Sequence, residues 1–240
     1  MKGSDRSVIA ALVLGAALTG CAAKARPGDV LAARLADLMP HGDRDHFVYV
    51  SQRSLPNHEP QVNLTVDHVS ALDRPGEFQV TESSDGERLG DSRWIADERG
   101  IALVSEEVDG LGVHVAYDPP LLLFPQPLVA GEHRAEATGA ATSLDDGKPM
   151  GVFRASAVVK SSPTRTTHPL ASGDAVLIEM TRSLVGPHGA LVLHSDTVSA
   201  EGVGEIESIA ALEGVPIVVR RSLVCGFIQG RAIGRCDELK

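Results

Sequence analysis

Aromatic side chains are scarce in this chain: one Trp, two Tyr and five Phe in 240 residues. Platforms that stack bases or sugars need more than that, although Trp94 alone could serve a small site. Basic clusters are missing too. With 22 Lys and Arg against 32 Asp and Glu, the formal net charge is −10, and no run of cations offers the counterion-displacing surface that nucleic acid requires. The same balance repels an anionic membrane surface, so charge does not hold the chain against lipid. Cysteine is rare, with three residues and no C-x-x-C spacing, which excludes the usual redox and zinc motifs. The nucleophile elbow G-x-S-x-G, the zinc pair H-E-x-x-H, an EF-hand loop and a Walker loop are all absent. Gly202 and Gly204 form a lone G-x-G with no third glycine and no ensuing helix, which is a turn rather than a dinucleotide cradle.

What is present begins at the N-terminus. Lys2 and Arg6 precede an apolar run of 11 residues, Val8 to Leu18, closed by Thr19, Gly20 and Cys21. Eleven residues rise only about 16 Å as a helix, roughly half the hydrocarbon thickness of a bilayer, so the run is the core of an export signal and not a span. Leu18-Thr19-Gly20-Cys21 resembles the lipobox of bacterial lipoproteins. The resemblance implies that Cys21 is acylated, that the peptide is cut before it, and that the chain sits on a membrane without crossing it, since several chains on one cysteine make a stable anchor. Ala22 in second place, rather than Asp, implies sorting in a diderm host to the outer membrane, facing the periplasm. The expected organisation is a signal peptide over 1–20, a lipidated tether over 21–28 and a β-rich domain over 29–240.

With Cys21 consumed, Cys225 and Cys236 remain as an even pair in an oxidising compartment, and CGFIQGRAIGRC reads as a disulfide-closed loop. A loop that short gains about 3 kcal/mol at most in the chain-entropy model.

Leu31, Leu35 and Leu38 recur at helical spacing before Pro40, predicting a short amphipathic helix over 30–39 with Asp29 as its cap. From Asp45 the period becomes two. HFVYVSQ, QVNLTVDHV, EFQVTES, SRWIAD, GIALVSEEV and GVHVAYD read as strands, separated by Asp-Gly and Pro-Gly turns. Residues 118–131, DPPLLLFPQPLVAG, interrupt the series because four prolines cannot serve a central ladder. Two readings of their leucines compete. They lie buried in a crossover over one end of the core, or Leu121, Leu122, Leu123, Phe124 and Leu128 meet a hydrophobic ligand or partner. Hairpins then resume across Asp145–Pro149, Gly186–Gly189 and Glu213–Gly214. The expectation is an all-β antiparallel meander, a curved half-barrel or a sandwich, with one short N-terminal helix.

The order of the Pro/Leu-rich segment, paired long strands and SAEGVGEIES resembles a group of bacterial envelope proteins built on long antiparallel strands. Leu123, Pro125, Leu128, Gly131 and Gly202-Val203-Gly204 carry the likeness, while His133 stands where that group often has Trp. The resemblance implies fold and brings no activity.

Candidate chemistry is thin. His41, Asp43, Asp45 and His46 lie within six residues and could supply metal ligands. Glu106-Glu107 and Asp145-Asp146 are adjacent acids, which on a strand point to opposite faces. The expected function is therefore a non-catalytic, membrane-anchored envelope lipoprotein that binds or presents a hydrophobic ligand or partner, with no metal or cofactor. A structural lipoprotein docking on an envelope complex is the alternative, and a metal-dependent hydrolase using the His41–His46 cluster is the third reading.

Overall fold

A computed structural model of the chain describes residues 26–187 and 189–236. The signal peptide, Cys21 and the first part of the tether lie outside the described residues. In chain order the elements are β1 (Val30–Ala32), α1 (Leu35–Leu38), β2 (His46–Ser54), β3 (Gln61–Ala71), β4 (Glu77–Ser84), β5 (Glu87–Asp97), β6 (Gly100–Val108), β7 (Val113–Pro125), β8 (Leu128–Val129), β9 (Gly131–Ser143), β10 (Pro149–His168), β11 (Ala171–Gly186), β12 (Gly189–Ala200), β13 (Gly204–Leu212), β14 (Val218–Ile228) and β15 (Arg231–Gly234).

Alternation dictates the wall. Along β9 and β10 every second side chain is buried: Ala135, Ala137, Gly139 and Ala141 face inward beside Ala157, Ala155 and Phe153, while Glu132, Arg134, Glu136, Arg154 and Lys160 face out. Each such strand must bury one face against something. The chain does so by closing on itself. All ladders are antiparallel, running β2-β3-β4-β5-β6-β7-β9-β10-β11-β12-β13-β14, and β14 returns to pair with both β13 and β2. The result is a closed 12-stranded barrel, with β15 as one additional strand on β14. This corrects the half-barrel or sandwich. The strands were legible, but the closure joins Val50 to Ser222, a pairing with no local signature.

The outer face carries the charges and the inner face the alanines, leucines and aromatics. A membrane-spanning barrel has the opposite arrangement, so these walls stand in water. No helix among the described residues is long and apolar enough to cross a membrane.

Small inner side chains let opposite walls approach. A circular barrel of this strand number would be roughly 24 Å across, yet Arg182 of β11 meets Glu106 of β6 at 2.8 Å. The barrel is flattened around that contact. Gly186 makes room for Phe153, whose ring atom Cε1 would lie 2.3 Å from any added Cβ.

One end is capped by residues 26–45. Leu35 and Leu38 are buried, and α1 is a single turn rather than the predicted helix over 30–39. Residues 30–32 instead form β1, paired to β8. Asp29 caps nothing: its carboxylate accepts from the Arg26 N–H, and its backbone pairs with Ala130. One turn is below the length that stands alone, so tertiary burial holds it. The cap is stitched down by Gly202 N–H to Asp37 O (2.6 Å) and by the buried Asp45 carboxylate, which accepts from Gly42 N–H and Gln229 N–H. Gly204, at φ +90°, passes so close to Pro40 that a Cβ would sit 2.9 Å from the ring.

Residues 118–125 do not interrupt the sheet, contrary to expectation. β7 continues through them, because Ala116 pairs with Ser105 and Leu121 with Leu103, leaving Tyr117 to Pro120 bulged opposite Val104. The two prolines fall where the ladder asks for no N–H.

Candidate functional site

The interior changes character along its length. Near the cap it is apolar, with Phe47, Phe78, Leu103, Leu121 and Leu123. Midway it becomes polar, because β3 is turned against its own hydrophobicity. Asn63, Thr65 and Asp67 share the face of buried Val69, while Val62 on the other face is 56% exposed.

Two arginine–carboxylate pairs occupy this polar layer. Arg182 Nη1 lies 2.8 Å from Glu106 Oε2, and the Tyr117 hydroxyl donates to Glu106 Oε1 at 2.5 Å. Burial, and then the neighbouring Glu106 charge, push the Tyr117 phenol above its ordinary range. In the second pair Arg221 Nη2 donates to Asp67 Oδ2 at 2.7 Å, and the guanidinium lies 4.0 Å over the Tyr49 ring. Burial raises the Asp67 carboxyl; Arg221 opposes the shift and Glu82 adds to it. Burial alone would lower the Arg221 guanidinium, but Asp67 and Glu205 outweigh it and hold the cation.

The pairs differ in completeness. Both Glu106 oxygens are partnered, whereas Asp67 Oδ1 and Arg221 Nε are buried without a hydrogen-bond partner. Asp67 faces Glu82 directly across the β3–β4 ladder. Around them opens a cavity of about 250 Å³ whose acids are Asp67, Glu82, Asp91, Glu106, Glu107 and Asp109. A larger groove of about 360 Å³ lies on the outer side of β4 and β5, but its Glu77 is already held by Arg74 and Arg93. That neutralised carboxylate leaves little for a ligand, so the inner cavity is the better candidate.

The residues expected from sequence fall elsewhere. Cys225 and Cys236 form the disulfide, with Cα atoms 5.4 Å apart. Leu121, Leu123 and Leu128 are buried in the core, with Leu122 and Phe124 half-buried, and none of them lines the inner cavity. The His41–His46 cluster does not converge. His41 bonds the Met39 carbonyl and stacks on Phe78, Asp43 accepts from Ala71 N–H, Asp45 pins the cap, and His46 lies between His68 and Phe227. No three His, Cys, Asp or Glu among the described residues are placed to hold a metal. Glu106 and Glu107 both border the inner cavity, the first held by Arg182 and the second by Arg88 at 2.6 Å. Trp94 donates to Ser92 and stacks on Phe78 inside the wall.

Asp67, Glu82, Tyr117, Arg182 and Arg221 are the residues that sequence reasoning missed. The signal available was the polar half of the β3 alternation, which reads as solvent-facing unless the strand's orientation is known.

No protein-family profile matches the chain. No curated protein matches it either. Two solved structures are similar in fold. A Bacteroides fragilis protein of YmcC-like fold, inferred to be exported, superposes at a TM-score of 0.45 with 11% identity, covering 81% of this chain and 98% of the other. A Parabacteroides distasonis protein, inferred to be a lipoprotein, superposes at 0.44 with 11% identity, covering 78% and 96%.

Proposed function

We propose that this is a lipid-anchored protein of the cell envelope that holds a capped β-barrel close to a membrane and presents the barrel's far mouth to the aqueous side. The lipobox-like Leu18-Thr19-Gly20-Cys21 supports the anchor. In a diderm host, Ala22 after the cysteine supports the outer membrane, with the barrel in the periplasm.

The observation that carries the reading is where the chain enters the fold. Gly28 N–H bonds Ala130 O at 2.8 Å at the capped end, beside β1 and β8. Only four residues, Ala22 to Ala25, lie between Cys21 and Arg26, and each step of the chain reaches about 3.5 Å at most. The capped end therefore lies against the lipid, and the turns joining β4 to β5, β6 to β7 and β13 to β14 point away from it. The leucines of 121–128 act as the seat of the cap, and the surface left for an occupant is polar.

The test is Cys21→Ser in the native host. The unaltered protein is expected to incorporate palmitate and to sediment with membranes. The variant is expected to do neither, and palmitate labelling of the variant overturns the reading.

A further inference from the structure

The β10–β11 hairpin is longer than its neighbours can use. β9 follows β10 only as far as Ser161, and β12 meets β11 only from Val176. Residues 162–175 therefore overhang the wall, laddered to their own hairpin. Their buried and exposed faces exchange on the way. From Phe153 to Ser161 the odd-numbered side chains are buried, whereas at the tip Arg165 and Thr167 are exposed and His168 is 7% exposed. The partner of His168 lies across the closure. Its Nε2 is 3.2 Å from Ser222 Oγ of β14, and β12 and β13 separate β14 from β11 in the ladder. Ser222 is on the outer side of β14, because Arg221 and Leu223 on either side of it face inward, toward Asp67 and beside Tyr49. Val198 of β12 and Glu207 of β13 lie in line with Ser222 on that outer side, and Val198 is buried. The overhang is thus a strap that reaches past two strands to the seam where β13 meets β14 and the ring closes.

Hydrogen bonding fixes the state of the ring. A backbone N–H can only donate, so the Leu170 N–H, 3.2 Å from His168 Nδ1, requires that nitrogen to be without a proton. The ring proton is on Nε2, which donates to Ser222 Oγ, and Leu223 adds a backbone hydrogen bond to the ring. The His168 N–H donates to Thr166 Oγ1 at 3.0 Å and holds the turn. A serine beside an imidazole suggests a nucleophile, but that chemistry needs the opposite tautomer, with Nε2 bare to take the hydroxyl proton. A second proton on this ring has only Nδ1 to go to, where it meets the Leu170 N–H. The surrounding charges do not reverse this. Burial disfavours the cation and outweighs Glu207 of β13, which favours it. Arg220, two residues from Ser222 on the same side of β14, is exposed and adds positive charge. Arg165 and Asp174 pair with each other at 3.5 Å on the other face of the hairpin.

We propose that the β10–β11 overhang is a pH-sensitive strap, latched across the closing seam of the barrel by neutral His168 and released when the ring takes a second proton. The folded state holds that proton less tightly than the unfolded chain does. The latch is therefore fully engaged above the ordinary histidine value, about pH 6.5, and weakens as pH falls below it. The device goes beyond the anchoring reading and does not depend on it.

The experiment follows backbone hydrogen exchange in the purified full chain in detergent at about pH 7.5 and about pH 5, on either side of the ordinary histidine value, with each rate corrected for intrinsic exchange. Protection of residues 162–175 is expected to fall about tenfold at the lower pH, the size of one lost hydrogen bond, while β6 and β7 keep theirs. His168→Gln carries no titrating group. Its ratio of protection between the two pH values is expected to be close to one, whether or not the glutamine docks. Glu207→Gln keeps the imidazole, and a loss of protection at the lower pH is expected to persist in it. Equal protection of the unaltered strap at both pH values overturns the proposal. So does a loss that survives in His168→Gln, one that disappears in Glu207→Gln, or one shared by β6 and β7. All of these outcomes are read without reference to Cys21, so failure here leaves the lipid anchor standing, and failure of the anchor leaves the strap standing.

Discussion

Arg182–Glu106 and Arg221–Asp67 are chemically the same pair in two settings. The first ties β11 to β6 across the interior, and Tyr117 supplies the second donor that Glu106 needs. The second pair links β14 to β3 over Tyr49 and leaves one atom of each partner unanswered. A completed pair is a strut. An incomplete one, set across the ladder from a second carboxylate, is a weak joint that keeps buried polar atoms unsatisfied. Buried ion pairs are poor evidence of stability on their own, so satisfaction of the remaining lone pairs is what separates the two roles.

The comparison can be broken most severely at the strut. Arg182→Ala leaves the Glu106 carboxylate buried with Tyr117 alone, and a loss of about 3–5 kcal/mol is expected, read from denaturant midpoints at pH 7. If the variant loses less than the matching Arg221→Ala, the roles are reversed. The tyrosines sharpen the contrast. Tyr117→Phe removes a short bond to a charged group and is expected to lose about 1.5–3 kcal/mol. Tyr49→Phe removes only a 3.5 Å contact to the Glu205 carbonyl, and a change below about 0.5 kcal/mol is expected.

The third difference lies in pH. The Asp67 carboxyl sits above its ordinary value through burial, with Glu82 adding to the shift and Arg221 and His68 opposing it. The folded state thus holds this proton more tightly than the unfolded chain does. Its contribution to stability is greatest below the unfolded carboxyl value and declines as pH rises through the folded one. Asp67→Asn is expected to abolish that declining segment in a plot of Tm against pH, and an unchanged segment assigns it to another group. The smallest effect is expected from Glu82→Gln. Removing one of two opposed like charges gains about 0.2–1 kcal/mol at pH 7, and a loss of stability in this variant shows Glu82 to be a partnered group.

How much of this was written in the letters varies by strand. β9 and β10 announce themselves through strict alternation, and the turns at Asp145–Pro149 and Gly186–Gly189 fixed the β9–β10 and β11–β12 hairpins. The disulfide followed from the even pair left once Cys21 is assigned to lipidation, in a compartment expected to be oxidising. Closure was illegible because β2 and β14 are neighbours only in space. The prolines of β7 misled because a bulge opposite Val104 relieves them of ladder duty, and bulges leave no mark in composition. The site was hidden for a subtler reason. In β3 the valines look like the core face and Thr65 and Asp67 like the wet one, yet the neighbours on either side, Tyr49 and Val80, turn the polar face inward. Local hydrophobicity was overruled by register.

A ring has to join its ends, and here the joining strands come from opposite extremes of the domain. β14 must lie beside β2 before the circuit exists, and among the described residues it alone bonds three strands, giving way from β13 to β15 along one edge. Pairing across so much intervening chain incurs its loop-closure entropy before any contact compensates for it. Assembly accordingly waits on the arrival of the C-terminal strands, and the ring stays open until nearly all of the chain is in place.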